Sequence, residues 1–438
     1  MLPSSSAPAA AAASLLLLLA GVVRADGTEQ SEAAFTGSWS SPSPSPPFLA
    51  TPPDAPLADP NQECAPYSYG PVSAAMSASP AQFPAIWQPV SALLSSDSEG
   101  QAKYNAIKGN IPNIQPKGTL GVPDSAILDK YNGASDPDCW WTASTCTTPK
   151  ASGVQPDVAA VPEPMTLGYG FDDGPNCSHN AFYQYLADKK QKATMFYVGS
   201  NVLDWPLQAQ RAVADGHEIC VHSWSHRSMT AFNNEQAFAE LWYTQKAIKL
   251  VTGYTPTCWR PPLGDVDDRI RFIAQSLGMY NVLWKYNSND WEVSSGAATP
   301  AEVQANYDAL ISAAGSGTFA TAGAIILAHE LNNYTMQTAL DNYPKLASAF
   351  KHIVPVGVAL NKTQPYAETN YTQASFAEYI GSASSSSTNS SSSSSSSGNK
   401  NSTSAQAAGD SGALSIRSGS VISATLVVVM GVVAAVVA

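Results

Sequence analysis

At 438 residues, 44% of them hydrophobic, the chain is long enough for one large domain or two ordinary ones. Lys and Arg number 22 against 34 Asp and Glu, and the resulting net charge of −12 excludes a nucleic-acid partner, whose phosphates demand basic grooves. Six cysteines (Cys64, Cys139, Cys146, Cys177, Cys220 and Cys258) include no CxxC pair, which removes a zinc ribbon. Their even number allows up to three disulfides, with connectivity left open by sequence.

In chain order, the apolar run 15–23 followed by Val23-Arg24-Ala25 reads as a secretory signal peptide over 1–25. Residues 26–63 form a Pro/Ser/Ala-rich leader, and 64–160 a flanking region of mixed character that includes Cys139-Trp140-Trp141. From 161 to 361, apolar runs alternate with amphipathic stretches. Strands are predicted at 165–171, 193–198, 218–222, 281–286, 324–328 and 354–359. Helices are predicted at 179–189, 235–251, 267–277, 300–314 and 336–351. That alternation predicts a parallel α/β sheet, open or closed into a barrel, with chemistry at the C-terminal ends of its strands.

Residues 381–404 are almost all Ser, Thr, Asn and Gly, the composition of a spacer, which is placed at 381–408. Small residues at Ala408, Gly409, Asp410 and Ser411, a polar spacer and the uncharged apolar run 421–438 give the pattern of a glycolipid (GPI) anchor signal over 409–438. A single true membrane span is the alternative, and either places the body outside the cytosol, at the membrane's outer face or in a cell wall. Six N-glycosylation acceptors, Asn176, Asn333, Asn361, Asn370, Asn389 and Asn401, agree with that compartment. No obligate protein partner is evident.

Three predicted strands deliver polar residues at their ends. One runs into Phe171-Asp172-Asp173-Gly174-Pro175, another into His222-Ser223-Trp224-Ser225-His226, and a third into His329. Taken alone, Asp-Asp-Gly-Pro is turn chemistry and a HisxxxHis pair is as often structural. Together, one carboxylate and two histidines make a three-ligand site with an open position, suited to catalytic zinc and equally to non-haem iron.

The combination resembles the polysaccharide deacetylase family, carbohydrate esterase family four, and most of all its fungal chitin deacetylases. Phe171-Asp172-Asp173-Gly174-Pro175 resembles the family's first motif and His222-Ser223-xx-His226 its second. Arg260-Pro261-Pro262-Leu263-Gly264-Asp265 resembles the third, Asn287-Ser288-Asn289-Asp290-Trp291 the fourth and Leu327-Ala328-His329 the fifth. The resemblance implies a distorted (β/α) barrel with an N-terminal flanking extension, and a catalytic domain over 161–361. It implies one divalent metal, zinc or cobalt, on Asp173, His222 and His226. Asp172 is then the general base, Arg260 the residue orienting it, and His329 the general acid. The backbone N–H of Leu263 helps bind the oxyanion, with Trp291 and Tyr169 as substrate contacts.

Two departures stand out. Leu263 occupies a position where the family usually has Tyr, and Asn287 one where it usually has Asp; Asp290 is left as the carboxylate that tunes His329. Trp224, Trp259 and Trp291 are packing residues or sugar platforms. The implied reaction is hydrolysis of the N-acetyl groups of chitin to chitosan and acetate. The alternatives are an acetylxylan esterase, another acetylated-glycan deacetylase, or a non-catalytic glycan-binding surface protein.

Overall fold

The computed structural model describes residues 63–387. The expected signal peptide, all but the last residue of the leader, the acceptors Asn389 and Asn401, the anchor residues Ala408 to Ser411 and the segment 409–438 lie outside the described residues. Among the described residues, no helix is long and apolar enough to cross a membrane.

Among the described residues, nine short parallel strands form the core. They are β1 (Thr166–Gly168), β2 (Gly170–Gly174), β3 (Thr194–Tyr197), β4 (Glu218–Val221), β5 (Cys258–Trp259), β6 (Tyr280–Asn281), β7 (Tyr286–Asn287), β8 (Ala324–Leu327) and β9 (His352–Val354). One sheet has the order β9-β1-β8-β7 and the other β2-β3-β4-β5-β6. Every residue of β3, β4 and β8 is buried, as expected of parallel strands covered on both faces. Tyr169 alone separates β1 from β2. A parallel bridge between Asp172 and His329 joins the sheets, with Asp172 N donating to Ala328 O (3.0 Å) and Glu330 N to Asp172 O (2.8 Å). The result is the distorted (β/α) barrel that the family resemblance implies, and that bridge brings the ends of β2 and β8 together.

Helices fill the connections: α1 (Asn180–Asp188), α2 (Gly199–Asp204), α3 (Pro206–Ala214), α4 (Asn234–Thr252), α5 (Asp268–Ser276), α6 (Pro300–Gly315) and α7 (Asn333–Ala349). α4, α6 and α7 each begin with a capping box, made by Asn233/Gln236, Thr299/Glu302 and Asn332/Thr335, which satisfies backbone N–H groups the helix leaves free. α4 stops at Gly253, whose φ of +83° suits glycine.

Three expected strands differ in detail. The run 165–171 is two strands, because the chain passes from one sheet to the other at Tyr169. The run 281–286 divides into β6 and β7, in different sheets, with Val282, Leu283 and Trp284 buried between them. The run 354–359 ends as a strand at Val354; Pro355 precedes a helical turn, Val356–Ala359.

The region before 161 belongs to the same core. Val72, Phe83, Val90 and Leu93 are buried in it, and Phe83 stacks on Trp224 at 5.9 Å. Buried Glu240 on α4 receives the backbone N–H groups of Val90, Trp224 and Ser225. After 361, Tyr366 is buried, and helix Phe376–Ser387 runs into residues whose composition predicts a spacer. The cysteines pair as Cys64–Cys177, Cys139–Cys146 and Cys220–Cys258.

Cys64–Cys177 closes a loop of 113 residues and ties the flank to the turn after Asp173. Replacing both cysteines with Ala lowers the unfolding free energy by about 2–5 kcal/mol. Denaturant titration measures this, and an unchanged midpoint would show that the flank is held by packing alone.

Candidate active site

Asp172 and Asp173 lie near the end of β2, and Asp173 has a φ of +75°, a strained conformation for a non-glycine residue. The loop after β4 carries His222 and His226, and Ser223 and His226 are also left-handed, at φ +60° and +53°. These turns fold four polar groups onto one point. His226 Nε2 lies 3.0 Å and His222 Nε2 3.4 Å from Asp173 Oδ1, and the three ligand atoms fall within 4.8 Å of one another.

The donor set fits a divalent cation. Asp173 Oδ1 is buried and makes no well-aligned hydrogen bond despite its two imidazole neighbours. His222 Nδ1 is 2.7 Å from the Arg260 carbonyl, which only accepts, so Nδ1 carries the proton and Nε2 faces Asp173 with its lone pair. Burial raises the Asp173 pKa, but His226 and His222 beside it hold the carboxyl well below the usual range. Burial lowers the His226 pKa, and Asp173 reverses this to a net increase. Two other groupings of metal-ligating types occur among the described residues, Asp136/Cys139/Cys146 and Glu218/Cys220/Cys258. Their sulfurs are consumed in disulfides.

Asp172 is held separately. Its Oδ1 accepts from Arg260 Nη1 at 2.6 Å, and its Oδ2 lies 3.6 Å from His222 Nε2. Arg260 is fully buried, and its Nε and Nη2 have no hydrogen-bond partner. The guanidinium instead lies 4.0 Å from the centre of the Phe196 ring and 5.5 Å from that of Trp284, a cation–π contact that offsets part of the desolvation. Arg260→Met leaves the Asp172 carboxylate buried without its cation and costs about 3–5 kcal/mol of stability. Chemical denaturation reads this directly, and a loss below about 1 kcal/mol, the level of a surface pair, would deny the buried ion pair its role.

His329 follows β8 and forms the opposite wall. Its Nδ1 is 2.6 Å from Asp290 Oδ1, and its backbone N donates to Asp290 Oδ2 at 3.1 Å. Trp291 N also donates to Asp290 Oδ1 (2.9 Å). Burial alone would depress the His329 pKa; the Asp290 charge and hydrogen bond, with Asp173 and Asp172 beyond, push it up to about 9. The Asn287 departure is thereby resolved. Asn287 is exposed, and its Oδ1 accepts from Asn289 N, while fully buried Asp290 is the partner of His329.

The remaining expectations divide. Leu263, at φ +60°, is half-buried in the turn that follows Arg260, and Trp291 is half-buried beside Asp290. Tyr169 is no substrate contact: it is 1% exposed, packed edge-on against Phe171 at 4.8 Å. It points into the core at the place where the chain passes from one sheet to the other. Trp224 and Trp259 are also fully buried and act in packing. Asn333, Asn361 and Asn370 are exposed, whereas Asn176 Nδ2, the nitrogen a glycan would take, donates to Leu331 O at 2.7 Å. Motif spacing missed Glu330, which is buried beside His329. It accepts from Asn176 N (2.8 Å) and Tyr183 Oη (2.8 Å), bracing the turn after Asp173.

Residues 161–282 match the family described as polysaccharide deacetylase. A chitin deacetylase 2 of Cryptococcus neoformans var. grubii is 51% identical over 332 residues, covering 75% of this chain and 71% of that one. The chain belongs to the polysaccharide deacetylase family. A chitin deacetylase of Amylomyces rouxii is 47% identical over 313 residues, covering 71% of this deacetylase and 73% of its relative. Among solved structures, the chitin deacetylase of Colletotrichum lindemuthianum matches at 19% identity and a TM-score of 0.43, covering 50% of this chain and 95% of that one.

Proposed function

We propose that the chain is a metal-dependent chitin deacetylase, hydrolysing N-acetyl groups of an N-acetylglucosamine polymer to acetate and glucosamine units. One observation carries the reading. The Asp173/His222/His226 cluster shares a site with a separately anchored carboxylate, Asp172, and with the His329–Asp290 pair, in a chain about half identical to named chitin deacetylases. Asp173, His222 and His226 would hold one divalent ion, zinc or cobalt. Such an ion polarises an amide carbonyl and lowers the pKa of water from ~15.7 towards ~7, within reach of a carboxylate.

Asp172, aimed by Arg260, accepts the proton of the attacking water. The backbone N–H of Leu263 meets the oxyanion that develops on the former carbonyl oxygen. His329 gives a proton to the departing amine, with Asp290 holding its Nδ1–H and leaving Nε2 to face the substrate. Trp291, at the same rim, offers a ring face to the sugar.

The full pairing of six cysteines supports a secreted, oxidising location. With the terminal patterns, it supports attachment through a GPI anchor to the outer face of the membrane or the wall. Release from cells by a GPI-specific phospholipase tests that placement; retention on the cells would oppose it. The substrate is tested by acetate release from chitin oligomers and from acetylated xylan, compared side by side. A higher kcat/KM on chitin oligomers is expected, and release from xylan alone would overturn the substrate assignment.

A further inference from the structure

His222 and His226 come together because the loop between them holds a conformation that side-chained residues rarely adopt. Ser223 and His226 have φ of +60° and +53°, and such angles persist only where the surroundings fix them. His226 itself is half-buried at the site, whereas Ser223, Trp224 and Ser225 are buried. The restraint therefore comes from behind the loop.

Four backbone groups of the loop are bonded there. Ser223 O accepts from Gly199 N (2.9 Å), and Trp224 O accepts from Ser200 N (3.2 Å) and Ser200 Oγ (2.7 Å), at the start of α2. Trp224 N (3.0 Å) and Ser225 N (2.9 Å) both donate to Glu240 Oε2. Ser225 Oγ donates to Glu240 Oε1 at 2.8 Å. Glu240 is fully buried on α4, where a carboxylate is costly unless its oxygens are well served. Each oxygen accepts two hydrogen bonds.

The fourth of those donors comes from outside residues 161–282 that match the family. It is Val90 N, 2.9 Å from Glu240 Oε1. The chain just before it follows the back of the loop. Phe83 stacks on Trp224 with the rings 8° from parallel, and Ala85 O accepts from Trp224 Nε1 at 3.0 Å. Trp87 N donates at 2.8 Å to Ser200 Oγ, the hydroxyl that also holds Trp224 O. The flank thus meets the loop through the Trp224 ring, the Ser200 hydroxyl and the Glu240 carboxylate.

We propose that Glu240 is a positioning residue for the metal centre, and that residues 83–90 of the flank complete its hold. Together they fix the strained loop in advance, so a cation meets two imidazoles already in place and binding does not have to order them. The flank then sets how tightly the chain keeps its metal. The inference rests on the reading of Asp173, His222 and His226 as metal ligands.

The test is the Kd for zinc, read by competition with a chromophoric chelator, for the full chain and for Glu240→Gln, Phe83→Ala and Asp97→Asn. An amide accepts at one end and donates at the other, so Glu240→Gln sets donor against donor at one pair of bonds without changing the side chain's size. Phe83→Ala removes the ring beside Trp224 and none of the loop's hydrogen bonds. Asp97→Asn is the control, because Asp97 ties the flank to α4 through Trp242 Nε1 (2.8 Å) and Lys246 Nζ (3.0 Å) and makes no bond to the loop.

Glu240→Gln and Phe83→Ala are expected to weaken zinc binding about 10–100-fold, the range for losing a group that orients a ligand. Asp97→Asn should leave the Kd unchanged. A weakened fold lowers the number of sites per chain and not the affinity of those that remain, so a merely structural role would not move the Kd. Unchanged affinity in Glu240→Gln and Phe83→Ala, or an equal loss in Asp97→Asn, overturns the positioning role while the metal reading stands. No zinc uptake by the unaltered protein would overturn both.

Discussion

Asp172→Asn lowers kcat for acetate release by about 10³-fold, within the range for loss of a general base. The substitution is close to isosteric, and its amide oxygen still accepts the hydrogen bond from Arg260 Nη1 that Asp172 Oδ1 accepts at 2.6 Å. The three proposed cation ligands, Asp173, His222 and His226, are untouched. Cation content should therefore stay at one per chain while the rate collapses. That pairing separates loss of the base from loss of the site. A variant that keeps a tenth or more of the rate would show that Asp172 only supports the turn and that another group takes the proton.

His329→Gln is expected to cost about 10²–10⁴-fold in kcat, as removal of a general acid does. Asp290→Asn gives the sharper test, because it acts through pKa. An acid must be protonated to work, so the rate falls as pH rises through the His329 pKa. That pKa is pushed up to about 9, with burial working against it and Asp290 the leading cause of the increase. Removing the Asp290 charge leaves burial with less opposition, so the pKa drops. The alkaline limb of the kcat/KM profile then moves to lower pH, and the loss is small in mild acid and large at pH 8. An unmoved limb would mean that His329 does not supply the proton.

Much of this was legible in the sequence because the chemistry sits where short strands end. The runs into Asp172, His222 and His329 are apolar and continuous, as buried parallel strands are. Of the five helices read from the sequence, α4, α5, α6 and α7 open on a side-chain cap, while α1 has none. The two-residue strand β5 was not legible, being too short to show a period, and β6 and β7 were read as one strand. Tyr169 misled because it sits where the chain passes between the two sheets, with its side chain buried in the core. The role of Asp290 was open in the sequence, since only the fold brings its carboxylate within 2.6 Å of an imidazole 39 residues away. The Cys64–Cys177 pairing and the place of residues 63–160 in the core depend on contacts across more than a hundred residues, which local pattern does not encode.

The central claim is that Asp173, His222 and His226 hold one cation without which Asp172 and His329 cannot act. Its most direct test is acetate release from chitin oligomers after exhaustive chelation and stepwise return of zinc or cobalt. The account predicts no release from the chelated protein, recovery that saturates at one equivalent of metal, and no recovery in His226→Ala. Undiminished release from the metal-free protein would contradict it.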